Sequence, residues 1–359
     1  MRSNYTLRPP KWLLLLSAAV LPFLCSVATG TATCNGGGSS GQGGMGGNAG
    51  QGGGMGGNNS NSSDCGTFTD GIYRKFNLDL GDSGRTHRWA IFTYGSGTSG
   101  SPFTALDVSS PSATTDHGYQ IMGDVGLAGA YSNLTVSGYG SLSGDRYLHT
   151  TGRETTTGSN AVLAGSRVSS SSVDYAANAA VNALKNTSVT AAGLISTYGS
   201  PSSLNLSGGS ASFSNNPFNG RYVMNLSSLT LDNGAVLNLT GSAGSAFVIN
   251  VSGAFSLNNH SQIALSGGLT TSDVLINVTG NHSTFSIAGD SLLQGTLLAY
   301  NSARNGAQRT LTVDGANTLV RGEVIANKVV VTGGAKVRKP PRASCNDDRE
   351  EHHREREDD

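Results

Sequence analysis

Two serines stand in short motifs that could support a nucleophile. Gly81-Asp82-Ser83-Gly84 echoes the segment on which trypsin-like proteases mount their serine, and Gly289-Asp290-Ser291-Leu292 echoes the nucleophile block of some esterases. A serine hydroxyl reacts only when a general base takes its proton and a third group orients that base. The protease arrangement supplies His and Asp before the Ser, whereas the first histidine here is His87. The esterase block sits early in its chain and is served by a late Asp-x-x-His. Here the block lies late, and no such partner follows. Neither motif is expected to be catalytic, and the chain is not expected to be an enzyme.

Metal chemistry is equally thin. A calcium site needs several oxygens converging on one ion. Asp64, Asp70, Asp79, Asp82, Asp273, Asp290 and Asp314 are scattered, and no Asp-x-Asp motif brings two together. Turn capping is the reading for these side chains. The glycines between 36 and 57 have no Lys or helix to complete a phosphate cradle. No cofactor is expected. His352-His353 have acidic neighbours that could share a metal, but the segment reads as a solvated charged tail.

The chain has four cysteines, Cys25, Cys34, Cys65 and Cys345, none in metal-site spacing. Arg2, Arg8 and Lys11 precede an apolar stretch from Trp12 to Val27, with small residues at Ser26-Val27-Ala28. This is the layout of a signal peptide over 1–28, preferred to a membrane anchor because the run is short and contains Pro22. Export to the cell surface or medium places the remaining cysteines in an oxidising compartment. Cys65 and Cys345 bracket the body and are the candidate disulfide. Cys34 is then unpaired, and a lipidated Cys34 is the minority alternative and the sole route to a membrane.

Residues 29–64 are a Gly-, Ser- and Asn-rich stretch that cannot bury enough apolar area to offset its chain entropy, so they read as a flexible linker. Residues 339–359, with Lys339-Pro340-Pro341 stopping the last strand, read as a charged disordered tail. Lys+Arg and Asp+Glu both number 23, so no charge imbalance directs the chain to nucleic acid. Charged residues are 13% and aromatics 6%, which excludes a core of large side chains. The composition fits short Val, Leu and Ile strands with Gly and Asn turns.

The folded body is expected over 65–338. Met224-Asn-Leu-Ser227, Leu237-Asn-Leu-Thr240, Ile249-Asn-Val-Ser252, Ile263-Ala-Leu-Ser266 and Ile276-Asn-Val-Thr279 share one period-two pattern, with starts separated by 13, 12, 14 and 13 on subtraction of those numbers. Segments that repeat in this way stack as coils of a β-solenoid, preferred here to a β-sandwich. Asn225, Asn238, Asn250 and Asn277 occupy equivalent places, as an Asn ladder or turn-facing residues. Each also begins an Asn-x-Ser/Thr glycosylation motif, but the structural role is favoured. One segment has helical spacing instead. Val173, Ala176, Ala177, Ala180, Val181 and Leu184 share a face, predicting a helix over about 172–186 with Ser172 as its cap.

Residues 119–337 resemble the bacterial choice-of-anchor A domain, an adhesive domain family. The resemblance rests on Gly123-Asp-Val-Gly-Leu-Ala-Gly-Ala130, the Ala-rich helix and Leu229-Thr-Leu-Asp-Asn-Gly-Ala-Val236. It also rests on Ser245-Ala-Phe-Val-Ile-Asn-Val-Ser-Gly253, Val274-Leu-Ile-Asn-Val-Thr-Gly280, Gln294-Gly-Thr-Leu-Leu-Ala299 and Arg321-Gly-Glu-Val-Ile-Ala326. The same half is similar to bacterial ice-binding proteins. Both resemblances imply an all-β fold, a right-handed β-solenoid with one α-helix packed alongside. The first implies attachment to extracellular matrix, polysaccharide or another surface ligand; the second implies ice as the partner. A clean Thr-x-Thr array is not visible in the sequence.

Overall fold

Strict alternation decides the architecture. In Leu229–Asp232, Leu229 and Leu231 are buried while Thr230 and Asp232 are half-exposed. Thr310–Asp314 repeats the pattern with Leu311 and Val313 inside. Side chains of a strand point alternately to its two faces, so every strand contributes one row inward and one outward. The computed structural model describes residues 89–112, 119–197, 199–215, 220–242, 245–280, 284–300 and 309–339. The predicted signal, linker and tail beyond Lys339, with all four cysteines, lie outside the described residues, as does Gly81-Asp82-Ser83-Gly84.

The described strands form three sheets of nine, with parallel ladders throughout. Sheet 1 runs Arg221–Leu226, Ala246–Val251, Val274–Val278, Thr296–Ala299, Val324–Ala326, Trp89–Thr93, Asp124–Leu127, Arg146–Leu148, Arg167–Val168. Sheet 2 runs Leu204–Ser207, Leu229–Asp232, Phe255–Leu257, Thr284–Ala288, Thr310–Asp314, Lys328–Thr332, Phe103–Ser110, Ser132–Gly138, Arg153–Thr157. Sheet 3 runs Ser210–Asn215, Val236–Gly241, Gln262–Ser266, Leu292–Gln294, Leu319–Arg321, Lys336–Arg338, Ile121–Met122, Ser141–Leu142, Val162–Leu163. The chain visits sheets 2, 3 and 1 in turn. The fold is the all-β solenoid with a helix alongside that the sequence implies.

The coil is twice the sequence repeat. Leu229 pairs with Phe255, so one full coil runs from the first to the second and takes in two of the repeated segments. The shorter sequence spacing instead alternates between sheets. Met224, Ile249 and Ile276 lie on sheet 1, whereas Leu237 and Ile263 lie on sheet 3. The stack is also not continuous in sequence. Ile91–Thr93 pairs with Val324–Ala326 on one side and the Asp124–Leu127 strand on the other, so the amino-terminal coils continue the stack beyond the carboxy-terminal ones. Leu106 pairs likewise with Val329, and Ile121 with Val337.

That discontinuity requires the helix. After Arg167–Val168 the chain is at one end of the stack, and the next strand, Leu204–Ser207, is at the other. Nine strands span about 38 Å at ~4.8 Å per step. Helix α1, Ser171–Ala192, has 22 residues, or about 33 Å at 1.5 Å each. It crosses the outside of sheet 1. Val173, Ala177, Ala180, Leu184 and Ala191 from the helix pack with Val223, Val248, Leu275, Leu298 and Ile325 from the sheet. The interior of the solenoid is a separate cluster of inward Leu, Ile, Val and Phe.

Two details differ from the sequence reading. The cap is Ser170, whose Oγ accepts from Val173 N at 3.3 Å, rather than Ser172. The helix continues past 186 through Asn186-Thr187-Ser188-Val189-Thr190, residues of middling helix propensity. Thr187 and Ser188 are buried there against the sheet, and tertiary contacts outweigh propensity.

Glycine is needed where coils touch at corners. Gly322 has φ +149°, and a Cβ on it would lie 1.9 Å from Gly295 O. No side chain fits in that gap.

Candidate ligand-binding face

The sequence-predicted asparagines divide between two sheets. Asn225, Asn250 and Asn277 stack in register on sheet 1. Asn277 Nδ2 donates to Asn250 Oδ1 at 2.9 Å, and Asn250 Nδ2 donates to Asn225 Oδ1 at 2.8 Å. The same amides reach the carboxy-terminal end of α1. Asn277 Nδ2 donates to Ser188 O at 3.0 Å, Asn250 Nδ2 to Ala191 O at 2.7 Å, and Asn225 Nδ2 to Leu194 O at 2.8 Å. A helix leaves its last carbonyls without intrahelical donors; the row adds a donor to one of them, Ala191 O, and also holds Ser188 O one turn earlier and Leu194 O just past the helix. Ser188 Oγ adds a bond to Asn277 Oδ1 at 2.7 Å. Asn238 is not equivalent. It lies on sheet 3, where its Nδ2 donates to Ser212 Oγ at 3.4 Å. Grouping it with the others follows from the half-coil repeat, which mixes two sheets.

Ser291 of the esterase-like block is 1% exposed, and its Oγ donates to Ala288 O at 2.6 Å. Asp290 beside it is a turn residue at φ +64°. His149 belongs to a cluster that sequence reading missed. Its Nδ1 lies 2.9 Å from Thr151 Oγ1 and its Nε2 3.7 Å from Asp174 Oδ2. Hydroxyl, imidazole and carboxylate are the components of a hydrolytic triad. The Asp174 oxygens, however, accept from Thr150 N at 2.8 Å and Thr150 Oγ1 at 2.5 Å, and Thr151 Oγ1 accepts from Tyr131 N at 2.8 Å. The imidazole and the Asp174 carboxylate are too far apart for a hydrogen bond. The cluster fastens the first turn of α1 to the loop after Arg146–Leu148. Among the described residues no three His, Cys, Asp or Glu side chains gather as metal ligands, and no helix is long and apolar enough to cross a membrane.

Arg309 is the most deeply buried cation among the described residues. It is 1% exposed, and its guanidinium donates to Val278 O at 2.8 Å and Thr279 O at 3.0 Å. Burial lowers its pKa below the ordinary arginine value, with Tyr94 opposing that shift. It fastens the corner after Val274–Val278 and reaches no open surface.

Sheet 2 is different, because its outer surface is uncovered by α1 and built from short side chains. One row across all nine strands reads Asn205, Thr230, Ser256, Ser286, Thr312, Val330, Asp107, Thr135, Thr155, each in register with the next. A parallel row reads Ser207 and Asp232 at one end, then Ala288, Asp314 and Thr332, with Ser109, Ser137 and Thr157 at the other. No Lys, Arg or aromatic residue interrupts these two rows. Cationic Lys328 and Arg153 stand outside them, on the flank. Sheet 3, by contrast, directs Gln262, Leu292, Leu319, Lys336 and Arg321 outward, so its surface is uneven and mixed.

The edge of sheet 2 is held by side chains at the turns. Asn233 Nδ2 donates to Ser207 Oγ at 2.8 Å, Asn259 Nδ2 to Asp232 Oδ1 at 2.8 Å, and Asn317 Nδ2 to Asp290 Oδ2 at 3.2 Å. Asn233 and Asn259 have φ of +52° and +50°, a conformation Asn tolerates better than most side chains. Thr332 Oγ1 donates to Asp314 Oδ1 at 2.7 Å. These bonds tie neighbouring coils to one another along the edge of the rows.

No protein-family model and no curated protein matches the chain. Solved structures do. An ice-binding protein from Arctic yeast is 17% identical, with a TM-score of 0.44 over 72% of this chain and 93% of that one. An ice-binding protein from the Antarctic ascomycete Antarctomyces psychrotrophicus is 18% identical, with a TM-score of 0.42 over 74% and 99%. An ice-binding protein domain from Shewanella frigidimarina is 13% identical, with a TM-score of 0.34 over 73% and 97%.

Proposed function

We propose that sheet 2 is a binding face for ice. Ice is the ligand named for the solved structures above; for this chain the case rests on its own surface. The observation that carries it is the row Asn205 to Thr155, nine registered positions with no cation or aromatic and one carboxylate. Parallel strands repeat every ~4.8 Å across the sheet, and outward residues every ~6.6 Å along it. Short hydroxyls on that grid hold water at repeating sites, and water bridging two polar groups is nearly as favourable as a direct bond. Thr and Val methyls limit the alternative positions such water can take. A crystal of water presents a repeating surface rather than a small molecule's outline, so a flat array suits it better than a pocket.

Slow growth of an ice hemisphere in a dilute solution of the protein tests this. The protein is expected to be enriched in the ice fraction; exclusion into the liquid, as for an ordinary solute, would sink the reading.

Attachment to a polymer surface is the second reading, and Asp107, Asp232 and Asp314 on the same face favour it. A carboxylate carries a tightly held hydration shell that suits a hydrated polymer better than ice. Replacing all three with Thr is expected to raise retention in ice. A fall in ice retention would favour attachment to extracellular matrix or polysaccharide, the role that the choice-of-anchor A resemblance implies.

We carry the export reading forward as part of this proposal. A signal over 1–28, a tether over 29–64, a Cys65–Cys345 disulfide and the lipidation alternative at Cys34 are all decided by one intact mass spectrum of the mature protein.

A further inference from the structure

Sheet 3 departs from short outward side chains at one corner. Gln294, Arg321 and Arg338 stand in register on three successive coils. With Lys339, Leu265 and Leu269 they border an open cleft of about 450 Å³. Adjacent strands lie ~4.8 Å apart, so two guanidinium side chains in register sit close, and like charges directly opposite destabilise a sheet. Among the described residues no carboxylate pairs with Arg321, Arg338 or Lys339. Asp273, close in sequence to Thr270 and Thr271 of the cleft wall, is taken up in its own turn, accepting from Thr270 N at 2.7 Å and Thr270 Oγ1 at 2.8 Å. Arg338 Nε is buried without a hydrogen-bond partner among the described residues. Gln294 Oε1 accepts from Leu265 N at 3.3 Å, which leaves the Gln294 amide nitrogen as a donor.

We propose that this cleft binds the anionic group of an acidic sugar residue in a polysaccharide. A guanidinium fork matches a carboxylate with two parallel bonds. Arg321 and Arg338 converge on the anion, Lys339 adds charge, and the Gln294 amide reaches a ring hydroxyl. Leu265 and Leu269 give the C–H face of the ring an apolar seat. The volume lies within the range of small-ligand sites. Uronic acids and sulfated sugars share this chemistry. The inference does not rest on the ice reading, because it uses another sheet and other residues.

Calorimetric titration of the full chain with oligogalacturonate, a sulfated glucan oligomer and a neutral glucan oligomer of equal length tests it. At least one anionic oligomer is expected to bind and the neutral one to fail. Tighter binding of the galacturonate assigns the site to carboxylate; tighter binding of the sulfated oligomer assigns it to sulfate. The double variant Arg321→Gln/Arg338→Gln is expected to lose about tenfold or more in affinity, while Arg153→Gln on sheet 2 stays within about twofold. The melting temperature of the double variant is expected to hold or rise, since a like-charge pair is removed. Should that variant fail to fold, Arg321→Gln alone, at an exposed position, carries the same test. Absence of binding, equal binding of neutral and anionic oligomers, or undiminished binding by the folded variant would overturn the proposal.

Discussion

Sheets 1 and 2 have the same number of parallel strands stacked in the same order, yet among the described residues α1 packs on the first and not on the second. Their inward rows are alike, both apolar, mainly aliphatic with Phe in each. The outward rows differ. Sheet 1 offers Val223, Val248, Leu275, Leu298 and Ile325 to α1 and carries an Asn row that donates to Ser188 O and Ala191 O in the last two turns of the helix. Sheet 2 offers Thr, Ser, Asn and Asp, which lose little by staying in water. The backbone is therefore neutral between a packed face and a binding face, and the outward side chain alone assigns the role.

The sharpest way to break this contrast is to exchange characters between the two sheets. Leu275→Asp puts an unpaired charge beneath α1 at a position that is 0% exposed. It is expected to cost about 4 kcal/mol or more. Ser256→Asp at an outward position of sheet 2 is expected to stay within about 1 kcal/mol. Urea denaturation of the pair measures the difference, and equal losses would show that the sheets are not distinguished by cover. Leu184→Ala opens a cavity on the helix side of the same interface and is expected to cost about 3 kcal/mol. Asn250→Ala is the subtler change. It removes the middle of the row, leaving Ala191 O with Leu194 N and the Asn277 amide with Ser188 O, for an expected loss of about 1 kcal/mol. Amide exchange in the last turn of α1 is expected to quicken in that variant before exchange elsewhere does.

The sequence shows the strands because inward positions are apolar with few exceptions, and shows the helix because its Ala-rich stripe has a different period. The sheet order is less visible. Nothing local in Trp89–Thr93 says that it lies between Val324–Ala326 and Asp124–Leu127, since the first of those pairings joins the earliest described strand to one of the last. The Asn motif is legible as a repeat but not as two populations. Asn238 and Asn250 stand in the same local pattern, and only the length of the full coil, set by pairing such as Leu229 with Phe255, places them on different sheets. The outward rows of sheet 2 draw from nine separate segments, so no stretch of sequence displays the face. The Arg321 and Arg338 pair is hidden in the same way, because the two lie on different strands in the sequence but side by side across one ladder.

The most direct measurement is thermal hysteresis of three folded proteins side by side: the unaltered chain, Thr312→Tyr on sheet 2, and Asn238→Tyr on sheet 3. The unaltered chain and Asn238→Tyr are expected to hold a gap between melting and freezing, while Thr312→Tyr, which raises a ring from the flat row, loses most of it at nearly unchanged stability. No gap in the unaltered chain, or one that Thr312→Tyr leaves intact, would contradict the assignment of sheet 2 as the ice-binding face.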